Sequence, residues 1–162
     1  MYARLCEANY ETAYMVSRLL YEPHIYCAIS DELKDVYFAH RFLSEIESGF
    51  RLVLGVFSKA EDDFLGCVHG KVYQGEFTAH TLFKRKVDAV KGCLLCEDVL
   101  RSYCREKSIP LKVIAGYPPE HLRVAVLMNK RYGCVDCGVA EDKFFYKDGK
   151  RIACRNMRKV LE

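Results

Sequence analysis

The chain has 162 residues, half of them apolar, with 25 basic against 22 acidic side chains for a formal charge of +3. That length suits a single domain over residues 1–162 with one core of mixed layers. The composition is globular rather than disordered, and no apolar run nears the roughly 18–20 residues of a membrane span. The first residues carry Arg4 and Glu7 without a signal-peptide pattern, so a cytosolic protein is expected. A charge of +3 without one dominant basic face argues against nucleic acid as a partner.

Residues 2–8 alternate loosely and predict a first strand. The spacing of Ala13, Tyr14, Val16, Leu19 and Leu20 predicts a helix over Tyr10–Tyr21, interrupted at Pro23. Ser30-Asp31 can cap a second helix carrying Leu33, Val36, Tyr37, His40, Leu43 and Ile46, which Ser48-Gly49 ends. The period then changes to that of strands: Phe50–Phe57, Phe64–Tyr73 and Glu76–Phe83 form an antiparallel meander, the last two joined by a tight turn at Gln74-Gly75. Asp88 can cap a long helix, Ala89–Lys107, with Val90, Cys93, Leu94, Leu100, Tyr103 and Cys104 on one apolar face.

Pro110 precedes a buried strand, Leu111–Ala115. In "GYPPEHLRVAVLMNKRYGC", Pro118-Pro119 suits a first helical turn, Glu120 suits its positive end, and Gly133 is a C-terminal stop. A last hairpin turns at Asp148-Gly149. The order β-α-α-β-β-β-α-β-α-β-β predicts an α/β (α+β) fold: four helices and a mixed sheet of about seven strands, antiparallel in one half and locally parallel at strands four and five.

Nine cysteines, an odd number without a secretion signal, argue against a disulfide framework. The pairs Cys93–Cys96 and Cys134–Cys137 have zinc-ligand spacing. Cys93 and Cys96 also fall on the long helix's apolar face, where packing accounts for them without metal. Lys84-Arg85-Lys86 clusters cations beside an open helix end, where amide groups and the helix dipole attract phosphate; Asp88 would compete for the same amides. Arg155, Arg158 and Lys159 read as solvated surface charge. Tyr10, Tyr14, Tyr21, Tyr26 and Tyr37 make the first two helices aromatic, for the most part as core.

The element order, together with Leu122, Ala125, Asn129, Gly133 and Cys134 in the last helical segment, resembles the GNAT superfamily of acyl-CoA-dependent N-acetyltransferases. Ala125 and Gly133 fit that family's pattern; Leu122, Asn129 and Cys134 stand where it has Asn, Tyr and Phe. The resemblance implies a GNAT-like fold in which strands four and five splay, with His80–Phe83 and Val113–Gly116 lining the gap for the pantetheine arm. It implies acetyl-CoA as cosubstrate, held by Leu82, Phe83, Lys84, Arg85, Lys86, Ala89, Val90, Lys91, Ala115 and Gly116, with Lys86, Ala89 and Lys91 at the phosphate-loop positions. Acetyl transfer to an amine needs a base, carbonyl polarisation and an acid for the leaving thiolate. His80 is the expected base, with Glu76 one hairpin-length away; His121 and His69 have weaker claims. Asn129 occupies the family's acid position without an acidic proton, Tyr117 is the stand-in, and Tyr132, about 300° further round the helix, points elsewhere.

Two readings follow: an N-acetyltransferase with a divergent active site acting on a small-molecule or peptide amine, or a catalytically inactive GNAT-like binding or structural protein. Motif-poor chains of this look occur in tailed phages, some of them virion-associated. A zinc- or RNA-binding module is the third reading, and a homodimer is left open.

Overall fold

The computed structural model describes residues 1–30 and 38–161. Its elements are β1 (Tyr2–Leu5), α1 (Tyr10–Leu19), α2 (Pro23–Tyr26), α3 (Phe38–Glu47), β2 (Leu52–Phe57), β3 (Phe64–Tyr73), β4 (Glu76–Phe83), α4 (Ala89–Glu106), β5 (Val113–Gly116), α5 (Arg123–Tyr132), β6 (Val135–Lys147) and β7 (Lys150–Val160). The seven strands form one sheet in the order β1-β2-β3-β4-β5-β7-β6. Every pairing is antiparallel except β4–β5.

Period-two alternation sorts the strands' side chains between two apolar cores. Val53, Cys67 and Leu82 pack with Ala13, Val16 and Leu19 of α1 and with Phe42 and Ile46 of α3. Leu54, Val68, Phe77, Phe83 and Ile114 face the opposite way, onto Ala89, Cys96, Leu100 and Cys104 of α4, with Met128 and Tyr132 of α5 at the margin. The sheet is therefore covered by α1–α3 on one side and by α4 and α5 on the other.

Both tight turns have the backbone expected of them. Gln74 and Gly75 (φ 49° and 84°) and Asp148 and Gly149 (φ 50° and 70°) lie in the left-handed region that two-residue hairpin loops require. Gly133 ends α5 at φ 104°.

The structure departs from the sequence reading in five places. A short helix, α2, adds a fifth to the four expected, started by Pro23 at its first turn rather than interrupted by it. α1 is capped by Asn9, whose side chain accepts from the Thr12 amide at 2.9 Å. Tyr10, Tyr14, Tyr21 and Tyr26 are exposed rather than core, and they stack in two pairs. On α3, Phe42 is buried while His40 is exposed; the Asp31 cap, Leu33, Val36 and Tyr37 lie outside the described residues. α5 begins at Arg123, so Pro118, Pro119 and Glu120 precede it. β7 claims the backbone of that stretch: Glu120 N donates to Ala153 O, Arg155 N donates to Pro118 O, and Pro119 bridges Cys154.

Candidate functional site

β4 and β5 pair only at Glu76–Val113, Phe77–Ile114 and Thr78–Ala115. Beyond that point β4 runs on to Phe83, while β5 stops at Gly116 and the chain is drawn away by Pro118 and Pro119 against β7. The two strands thus diverge as a wedge.

An ideal Cβ on Gly70 would meet the Thr78 carbonyl, and one on Gly66 the Leu82 carbonyl, so these carbonyls face β3. Alternation along an antiparallel strand then turns the backbone groups of Ala79, Thr81 and Phe83 toward the wedge. His24 Nε2 of α2 donates to the Phe83 carbonyl oxygen at 2.9 Å. Of the residues expected to line a cofactor, Leu82, Phe83 and Ala115 bury their side chains in the cores, so these residues and Gly116 can offer only backbone to the opening.

The turn after β4 exposes Lys84, Arg85, Lys86 and Val87 and enters α4 through a single 3-10 turn, Lys86–Asp88. Asp88 makes no capping hydrogen bond. Its carboxylate instead takes Arg85 in two bonds, Nε to Oδ2 at 2.8 Å and Nη2 to Oδ1 at 3.0 Å, which hold it below the usual carboxylate range. The competition for helix amides expected of Asp88 is removed, at the expense of Arg85, while Lys84, Lys86 and Lys91 stay exposed. Ala89 is buried and Val90 half-buried. Gly92, one residue beyond Lys91, makes room for a side chain rather than an anion: a Cβ there would lie 2.3 Å from Phe83 Cε1.

On the α1–α3 side of the sheet, beside the wedge, Tyr117 donates its hydroxyl to Glu76 Oε1 at 3.2 Å, and Arg158 Nη2 donates to Glu76 Oε2 at 2.6 Å. Burial and the Glu76 carboxylate raise the Tyr117 phenol above its ordinary value, so it keeps its proton. Lys143 Nζ stands 5.7 Å from the centre of the Tyr117 ring.

Further along β4, the His80 ring stacks on that of His69 in β3, with centroids 5.2 Å apart and planes at 15°. Arg51 Nη1 donates to His69 Nδ1 at 3.1 Å, and Arg51 Nε donates to Glu45 Oε2 at 2.5 Å. His80 is an exposed residue. Even so, its pKa is lowered to about 4, first by the protein atoms crowding it and then by Arg51, with Glu45 pulling the other way.

On the opposite side, Asn129 Nδ2 donates to Ala125 O of its own helix at 2.9 Å, while its Oδ1 faces Gly116 closely enough that a Cβ there would lie 2.8 Å away. It therefore packs α5 against the end of β5. Tyr132 points elsewhere, as expected, giving its hydroxyl to Glu97 Oε2 at 2.7 Å. Lys159 Nζ reaches the same oxygen at 2.6 Å, and Arg101 binds Oε1.

The three basic residues near the end are thus not free surface charge: Arg155 pairs with Asp136, Arg158 with Glu76 and Lys159 with Glu97. His121 is exposed beside Phe145. It lines an open groove of about 750 Å³ with Glu120, Arg123, Val126, Leu127 and Arg155.

Cys96 is buried and donates its thiol to Leu54 O, and Cys93 packs against the α4 core; burial raises both thiols, Cys93 to about 12. Among the described residues, no group of three or more His, Cys, Asp or Glu side chains could hold a metal ion.

His80 and Tyr117 therefore share one side of the sheet, Asn129 lies on the other, and the backbone of β4 runs between them. Sequence reasoning missed the bonds of Arg158 to Glu76 and of His24 to Phe83, which join residues 82 and 59 positions apart. No local pattern signals pairings of that range.

A mixed sheet that opens between two parallel strands, with a helix N-terminus at the mouth, is the fold of the GNAT acetyltransferases. At the level of sequence, no family model and no curated protein matches the chain. The likeness is one of structure. The acetyltransferase that modifies the N-terminal serine of ribosomal protein L7/L12 in Salmonella typhimurium superposes with a TM-score of 0.74 at 6% identity, covering 100% of this chain and 96% of that one. Ribosomal-protein-alanine N-acetyltransferase from Brucella melitensis gives 0.71 at 15% identity, over 99% and 100% of the two chains. An L7/L12 α-N-protein acetyltransferase in complex with coenzyme A gives 0.71 at 8% identity, over 99% and 95%.

Proposed function

We propose that the protein is an acetyl-CoA-dependent N-acetyltransferase acting on a small-molecule or peptide amine. The observation that carries this reading is the wedge: Ala79 and Thr81 turn peptide groups toward a gap that β5 does not fill, beside an α4 turn carrying Lys84 and Lys86. Peptide-like amides of a pantetheine arm complement such a strand edge. The exposed amides and lysines of the turn suit a pyrophosphate.

In the transfer, the amine nitrogen forms a bond to the acetyl carbon as the carbon–sulfur bond breaks. His80, neutral near pH 7, takes a proton from the acceptor's ammonium, directly or through water. Tyr117, which Glu76 keeps protonated, returns a proton to the leaving thiolate. Asn129 acts by packing α5 on the end of β5 rather than by proton transfer. Among the structures similar in fold, one is described as modifying the N-terminal serine of a ribosomal protein, one as a ribosomal-protein-alanine N-acetyltransferase and one as a chimera of a spermidine N-acetyltransferase, which makes peptide amines and polyamines the first acceptors to try.

Calorimetric titration of acetyl-CoA, followed by thiol release with a panel of amines, tests the proposal. Saturable binding with amine-dependent release is expected, and no heat up to millimolar acetyl-CoA would sink it. One observation favours the inactive reading: the family's acid position holds Asn129, whose amide is spent on its own helix. Binding without release to any amine selects that alternative.

A further inference from the structure

The transfer chemistry above leaves Glu45, Arg51 and His69 without a role, yet they form a hydrogen-bonded chain on the α1–α3 side of the sheet. His69 is buried, with its ring and that of Phe42 perpendicular and their centroids 5.1 Å apart. A guanidinium only donates, so Arg51 Nη1 at His69 Nδ1 fixes that nitrogen as an acceptor and leaves the ring proton on Nε2. Glu45 holds the guanidinium from behind. Protonating His69 would set a second N–H against Arg51 and is opposed twice, by burial and by the neighbouring cation.

His80 lies flat on this locked ring. A charge on His80 would face a neutral imidazole backed by a cation. The titratable and charged groups around it are His69 of β3, Arg51 and, beyond Arg51, Glu45 of α3, with Glu76 four residues earlier on the same face of β4.

We propose that Arg51 and His69 are positioning residues that hold His80 in its neutral, proton-accepting form, so that transfer persists at pH values where an ordinary histidine would already be protonated. The inference rests on the reading of His80 as the base. It trades basicity for supply: each neutral His80 is a weaker acceptor, but the neutral form prevails across the physiological range. The directions of the shifts at His69 and His80 agree, both downward, with Arg51 among the causes of each.

The test is an NMR titration of the His80 imidazole in the full chain, together with the pH profile of kcat/KM. Wild type is compared with Arg51→Met/Glu45→Gln, which removes the cation without orphaning its carboxylate. Wild type is expected to titrate well below the ordinary value of about 6.5. The double variant should raise the midpoint, Arg51 outweighing Glu45, with the acid limb of kcat/KM rising by the same amount.

A wild-type midpoint between about 6 and 7 overturns the proposal before any variant is made, as does a midpoint that the double variant leaves in place. Should the double variant fail to fold, His69→Gln keeps an acceptor for Arg51 while deleting the stacked ring, and it too must raise the midpoint. A low, movable midpoint in a chain that binds acetyl-CoA yet transfers to no amine upholds the hold of Arg51 on His80 and sinks the transferase reading instead.

Discussion

Adjacent residues of β7, Arg158 and Lys159, point to opposite sides of the sheet, and each ends on a carboxylate that also receives a tyrosine hydroxyl. On one side stand Glu76, Tyr117 and Arg158; on the other, Glu97, Tyr132 and Lys159. The groups are chemically alike, but their surroundings differ. Glu97 is 9% exposed at its side chain, has a further partner in Arg101, and is roofed by α4 and α5. The side chains of Glu76 and Arg158 are 26% and 32% exposed, beside the mouth of the wedge. The same triad is therefore internal glue where it is sealed, while its more exposed counterpart is the one to which the proposed transfer assigns chemistry.

The largest expected effect that could break this contrast is on stability. Glu97→Ala leaves Lys159 and Tyr132, both half-buried, without their shared acceptor, and the cost of leaving such partners unsatisfied is about 1–3 kcal/mol. Glu76→Ala exposes Arg158 to water that already reaches it, so its cost should stay within about 1 kcal/mol. Urea unfolding at pH 7 measures both. Equal losses would mean that exposure does not distinguish the two triads.

Second in size is the tyrosine pair. Tyr117→Phe is expected to lower kcat by about 10²-fold with little change in stability, the low end for general acid catalysis. Tyr132→Phe should leave kcat alone and destabilise the fold by about 1–2 kcal/mol, because Glu97 loses one buried donor. Thiol-release kinetics on both variants decide the matter; a slow Tyr132→Phe paired with an unchanged Tyr117→Phe would reverse the assignment.

How much of this was legible in the sequence follows the range of the interactions. β3 and β4 could be bounded to the residue, because period-two alternation and the Gln74-Gly75 turn are local signals. Gly133 marked the end of α5 for the same reason. The wedge was legible only through likeness of element order, since nothing within β4 or β5 says that their pairing stops at Thr78 and Ala115.

The start of α5 was misread because Pro118 and Pro119 satisfy helix-start rules locally, yet β7, more than 30 residues later, claims their backbone. Asp88 looked like a cap because the signal for a cap is a residue type at a position; its pairing with Arg85 depends on a side-chain rotamer that sequence does not specify. Glu97 sat unremarked in an amphipathic helix, its role set by Lys159, 62 residues away.

The smallest effect concerns acid. Burial pushes the Glu97 carboxyl up, but hydrogen bonds from Lys159, Tyr132 and Arg101 outweigh it, and the net shift is downward. A carboxyl whose folded pKa is depressed contributes stability above its unfolded value, near 4.3, and loses it as pH falls through the folded value. Between about pH 5 and pH 3 the unfolded chain then binds more protons at this site than the folded one, so unfolding becomes easier by at most about 1.4 kcal/mol per pH unit. Glu97→Gln abolishes that titration. Its stability, lower than wild type at pH 7, should fall less steeply over the same interval. Urea midpoints at three pH values measure the difference in slope, and parallel curves would show that the sealed triad carries no proton-linked stability, leaving its partners as packing alone.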